Sequence, residues 1–174
     1  MMEHSMHVFY TTAKRYCRFL REWVIDSQTA SELIVILMEL YRYALMLPAG
    51  DAIIPEEAGK GLGEAGPGEE KPFACKVKFD SDYPFLYYGQ LDPFDDSEEN
   101  CHLSLAVDLG DIYDDLEPGI LMYENDEKAR AVSTWRKDFG NHWGRHAVNS
   151  IRVLHEYATR GNELCIPRED EIYQ

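Results

Sequence analysis

Phe9, Ala13, Tyr16, Leu20, Trp23 and Val24 follow one another at intervals of four, three, four, three and one. Strand side chains change face at every residue, so that spacing would scatter them over both sides of a sheet. On a helix of 3.6 residues per turn they form one stripe. The spacing predicts a first helix from about Met6 to Ile25, with Lys14, Arg18 and Arg21 on an opposite, solvated face.

The same period returns along the chain. Thr29-Ala30-Ser31-Glu32 has the spacing of a capping box, opening a second helix over Ala30 to Leu47. That helix is apolar nearly all round and is expected at the middle of a bundle, with Pro48 and Gly50 stopping it. Leu105, Leu109, Ile112 and Leu116, with Tyr113 beside them, mark a third helix from about Leu103 to Leu116, ending before Pro118-Gly119. After Asn125-Asp126 a fourth carries Ala129, Val132, Trp135 and Phe139, and Gly140-Asn141 is read as its break. A fifth carries Trp143, Ala147, Ile151, Leu154 and Ala158 up to Gly161-Asn162.

The intervening stretches are less regular. Residues 48–72 hold six glycines and four prolines without a period and read as a flexible loop. Gly59-Lys60-Gly61-Leu62-Gly63 follows no strand and lacks the spacing of a phosphate-cradling loop. Phe73, Cys75, Val77 and Phe79 alternate with polar residues and hint at one short strand, while Tyr83 to Leu91 reads as short helical turns and loop. The tail, 167–174, is charged and expected to fray. The expected fold is therefore all-α: a single helical domain over 1–174, a bundle of about five helices with an irregular insertion before the third.

Charge narrows the function. The chain carries a net charge of −15, which argues against a nucleic-acid-gripping face. From Phe79 to Glu127 there are 15 Asp and Glu and no Lys or Arg, while the other 17 acids balance the 17 bases. The most apolar run, Leu33 to Leu47, is 15 residues and contains Glu39 and Arg42, too short for a bilayer span of roughly 20 apolar residues. Met1-Met2-Glu3-His4-Ser5 lacks a basic region and no apolar segment follows it. Cys17, Cys75, Cys101 and Cys165 are scattered and read as reduced thiols. The expectation is a cytoplasmic protein that binds neither membrane nor nucleic acid.

Within the acidic stretch, Asp108, Asp111 and Asp115 fall within about 60° of one another at 100° per residue, along one flank of the third helix's core face. His142 and His146, four apart, point the same way from the last helix, with His146 at the edge of its apolar arc. If the two helices lie side by side, these five groups converge as bundle metal sites do. A divalent ion would then be a possible cofactor, able to activate a water for hydrolysis. Against this, Trp143 stands where H-E-x-x-H proteases keep their base. The aspartates also have the option of pairing with Arg136, Arg145 or Arg152 in a purely structural network.

Ser104-Leu105-Ala106-Val107-Asp108-Leu109-Gly110-Asp111-Ile112-Tyr113-Asp114-Asp115-Leu116 resembles a signature S-L-A-x-D-L-x-D-I-Y-x-D-L. Trp135 to Phe139, His142-Trp143-Gly144-Arg145-His146-Ala147 and Leu154-His155 resemble the W-x-x-x-F-x-x-H-W-G-x-H-A and L-H pattern that accompanies it. Together they are similar to a bacterial family of small helical proteins described only as a domain of unknown function. The resemblance covers most of Val8 to Tyr157, implies helices, and implies no activity. Val107 stands where that family frequently carries an acid.

Two functions follow as expectations. The first is a non-enzymatic interaction or regulatory module whose acidic 79–127 lobe meets a basic protein partner or a second copy of the chain. The alternative is a metal-dependent hydrolase using Asp108, Asp111, Asp115, His142 and His146, with the ion held among them and one free aspartate as base.

Overall fold

The computed structural model describes residues 2–48, 76–80, 86–89 and 101–160. Nearly all of the expected 48–72 loop, the 167–174 tail, and Phe73 and Cys75 of the hinted strand lie outside the described residues. Helix α1 (Met2–Glu22) is followed by α2 (Ser27–Leu45), strands β1 (Leu86–Gly89) and β2 (Cys101–Ser104), and helices α3 (Leu105–Glu124), α4 (Lys128–Asp138) and α5 (Gly144–Arg160). The mostly helical architecture expected from the periodicity is present. None of the helices is long and apolar enough to cross a membrane, among the described residues.

α1 buries Phe9, Ala13, Tyr16 and Leu20 as its stripe requires, but it ends at Glu22. Trp23 and Val24 consequently leave the core face and are about half exposed, Trp23 stacking on Phe19 with ring centroids 5.9 Å apart. The chain turns at Ile25, which is buried and forms a parallel bridge with Phe79. Ile25 N donates to Lys78 O (2.8 Å) and Asp80 N donates to Ile25 O (3.0 Å).

α2 begins three residues before the expected start, and the capping box sits one turn earlier than Thr29–Glu32. Asp26 is the N-cap; its carboxylate accepts from Gln28 N (2.9 Å) and Thr29 N (2.7 Å), while Thr29 Oγ1 accepts from Asp26 N (2.8 Å). An aspartate satisfies two free amide donors and adds a negative charge at the helix's positive end, which the threonine cannot do. α2 is not at the middle of the bundle: Leu33, Ile36, Leu37 and Leu40 are fully buried, but Val35, Met38, Leu45 and Met46 are exposed.

The β-hairpin corrects the reading of 83–91 as helical turns, where that stretch is described. Leu86–Gly89 pairs antiparallel with Cys101–Ser104, Leu86 opposite Ser104 and Gly89 opposite Cys101. Ser104 ends β2 and is also the N-cap of α3, which therefore starts at Leu105 and not at Leu103.

α3 runs straight through Pro118-Gly119 to Glu124. Proline removes one backbone donor and glycine weakens the helix, so the pair reads as a stop. Packing against α4 overrides it. Trp135, fully buried, lies against Gly119 and donates from Nε1 to Leu116 O (3.1 Å). A Cβ at Gly119 would collide with the indole. The α3–α4 turn has Asp126 in the left-handed region (φ 64°).

At Gly140-Asn141, read as the break of the fourth helix, the α-helix does end, at Asp138, but no loop follows. Phe139–Trp143 forms one π-helical turn joining α4 to α5. The wider turn swings Trp143 fully into the core, where Trp143 and Trp135 flank Phe9 with centroid separations of 6.3 and 4.8 Å. Burying side chains of this size is worth on the order of 2–3 kcal/mol each. α3 packs on both α4 and α5, and Tyr16 of α1 donates to Leu109 O (2.8 Å) in the buried centre.

Candidate metal centre

α3 and α5 lie side by side, and the contact brings all five sequence-predicted residues together. Asp108, Asp111 and Asp115 occupy successive positions along the flank of α3. His142 lies in the π-turn and His146 in the first turn of α5, their rings edge to face with centroids 4.7 Å apart. The π-turn needs Gly144: a Cβ there would stand 2.5 Å from Phe139 O and 3.1 Å from the Phe139 ring. π-turns of this kind concentrate at functional sites.

The carboxylates divide into two sets. Asp115 Oδ2 is 2.7 Å from His142 Nδ1, and Asp108 Oδ1 is 2.7 Å from His146 Nδ1. Asp108 is buried (3% exposed), and its second oxygen accepts a hydrogen bond from the Tyr87 hydroxyl. A buried carboxylate is costly unless its lone pairs are satisfied, and here both oxygens are. With Nδ1 of each imidazole donating to a carboxylate, the neutral ring carries its free lone pair on Nε2. Asp111 is the carboxylate that remains. Its Oδ2 is 3.6 Å from His146 Nε2, and Asp111, His142 and His146 each offer a ligand atom within 4.8 Å of the others.

Electrostatics follow the geometry. The hydrogen bond to Asp115 raises the pKa of His142 above the ordinary imidazole value. Burial raises Asp111, partly opposed by the two imidazoles. Burial, with Asp115 nearby, pushes Asp138 up to about 6. Burial and the bond to Asp108 hold the Tyr87 hydroxyl well above its usual range, so it remains a donor.

The three arginines that the sequence offered as partners for the aspartates have other described contacts. Arg136 donates to Leu47 O, Arg145 donates to Asn141 O (3.0 Å), and the Arg152 guanidinium lies 5.4 Å from the centre of the Tyr87 ring. Trp143 is a core residue and does not reach the site as a base. Tyr87 was missed from the sequence: it sits in an aromatic stretch interrupted by Pro84 and Gly89, with no period to assign it a face.

The arrangement defines a helical bundle with two carboxylate-bound imidazoles and a third carboxylate between them. Residues 84–159 match the family model described as Domain of unknown function (DUF5063), which bears out the resemblance over that stretch. The match takes in the hairpin, α3 to α5 and all five residues, but not α1 and α2, to which the resemblance was expected to extend. No curated protein and no solved structure matches the chain.

Proposed function

We propose that the protein holds a divalent transition-metal ion on Asp111, His142 and His146, with Asp108 and Asp115 orienting the imidazoles. The observation that carries this reading is that both histidines engage Nδ1 with a carboxylate, while His146 Nε2 faces Asp111 at 3.6 Å and His142 offers a ligand atom within 4.8 Å of both. Metal-bound histidines nearly always have that outer partner, which fixes the tautomer and raises ligand basicity. Of the five candidate ligands, three face the ion and two stand behind it.

Two imidazoles and one carboxylate suit first-row ions such as zinc, cobalt, iron or manganese better than calcium or magnesium, which prefer all-oxygen cages. Zinc–nitrogen distances near 2 Å place donors about 3.3 Å apart, so the three, now within 4.8 Å of one another, must draw together on binding. Three protein ligands would leave coordination positions open, and the half-exposed His142 puts the cluster within reach of solvent. An ion so held lowers the pKa of a bound water and polarises a substrate oxygen, which is the chemistry of metal-assisted hydrolysis.

The described part of the acidic stretch is compatible with this reading. Its described acids are largely engaged within the chain: Asp80 with Tyr157, the three aspartates with the histidines, Glu117 with Tyr113, and Glu124 with Lys14 and Tyr10. Asp95, Asp96, Glu98 and Glu99 lie outside the described residues.

Elemental analysis of untagged protein tests the proposal. One equivalent of a first-row metal is expected in the wild type, with loss in Asp111→Asn and His146→Ala. Wild-type protein that takes up no zinc or cobalt at micromolar concentration, with the variants altered only in thermal stability, would reduce the cluster to structure.

A further inference from the structure

We infer that Tyr87 is a positioning residue of this centre, fixing the tautomer of His146 from the β-hairpin through Asp108. The inference rests on the metal reading above for its consequence, but its geometry stands independently. The Tyr87 hydroxyl donates to Asp108 Oδ2, Asp108 Oδ1 faces His146 Nδ1 at 2.7 Å, and His146 Nε2 faces Asp111 at 3.6 Å. The three links form one continuous line from β1, across α3, to the metal-facing nitrogen on α5.

Each link has one available polarity. A phenol that keeps its proton only donates to a carboxylate. The carboxylate, with one oxygen thus occupied and almost no solvent around it, turns its other oxygen to the imidazole and accepts from Nδ1–H. The neutral imidazole, the form that binds a metal, then presents a lone pair at Nε2. The Arg152 guanidinium at 5.4 Å from the Tyr87 ring centre holds the phenol in place from α5. Without the hydroxyl, Asp108 loses the partner that sets its rotamer, and one buried oxygen is left unsatisfied. The imidazole loses its single orientation, and the site its preformed donor.

The test uses full-length Tyr87→Phe, which keeps the ring and its packing. Tyr157→Phe is the control, since it removes a tyrosine–aspartate bond of the same kind, to Asp80, outside the cluster. Two measurements are made on each protein: cobalt(II) affinity by absorption titration, and the His146 tautomer by two-bond proton–nitrogen NMR correlation in the metal-free state. Expected are a roughly 10-fold weaker cobalt affinity in Tyr87→Phe, a mixture of His146 tautomers replacing the Nε2-lone-pair form, and neither change in Tyr157→Phe. A wild-type tautomer in Tyr87→Phe overturns the inference, and so does an equal loss in both variants. Should the wild type bind no cobalt, the metal proposal falls by itself, and the NMR arm still decides whether Tyr87 sets the imidazole.

Discussion

Asp26 shows how a single side chain relocates an element boundary. Thr29-Ala30-Ser31-Glu32 matches the capping pattern, yet Asp26 accepts two backbone amides and Thr29 serves as the reciprocal partner. The motif was visible and the register was not, because Asp26 and Thr29 both satisfy the cap preference and only the turn at Ile25 decides between them. Asp26→Ala is expected to lower Tm by about 2–4 °C, while Glu32→Ala, which loses one exposed contact to Arg15, leaves it nearly unchanged. Backbone and side-chain bonds from Thr29 lower the Asp26 pKa. The cap's contribution is therefore present above the ordinary carboxylate pKa and is lost as pH falls through the lowered value. Equal effects of the two substitutions in thermal melts would return the cap to Thr29.

Among elements, the candidate site was the most legible part of the chain, and the connections were the least. Asp108, Asp111 and Asp115 share a flank of α3, and His142 and His146 share a side of the last helical segment, for reasons that helix geometry alone supplies. That both flanks meet depends on α3 packing on α5, which periodicity allows but does not dictate. The two misread stop signals have one cause. Pro118-Gly119 and Gly140-Asn141 carry local stop signals, and tertiary packing of Trp135 and Trp143 outweighs them. The glycines around the π-turn make this testable. Gly144→Ala forces a Cβ to within 2.5 Å of Phe139 O and is expected to cost about 2 kcal/mol or more in urea denaturation. Nothing among the described residues lies within 4 Å of a Cβ at Gly140, so Gly140→Ala is expected to be neutral or to stabilise by up to about 1 kcal/mol. If Gly144→Ala melts like the wild type, the π-turn is not what the chain adopts in solution.

At the scale of the whole molecule, with a net charge of −15, three groups in and beside the cluster have raised pKa values. Burial raises Asp111 and Asp138, the latter to about 6, so ionising either costs more in the folded chain than in the unfolded one. His142 is raised by Asp115, and the stability from that pair is complete below the ordinary imidazole pKa and fades as pH climbs through the folded value. All three have the same sign. The Tm of metal-free protein is expected to fall between about pH 5 and pH 8; the metal proposal adds that a saturating first-row ion raises it again, since an ion that prefers the folded site stabilises the fold. Scanning calorimetry at several pH values checks both; a Tm that rises over this interval would mean that other groups dominate.

One junction ties these scales together. Ser104 is at once the last residue of β2 and the N-cap of α3, so no slack lies between the hairpin and the turn that carries Asp108. The pairing that sets Leu86 opposite Ser104 thus also sets where Tyr87 meets Asp108, and a slip of one strand against the other would part that bond at its source.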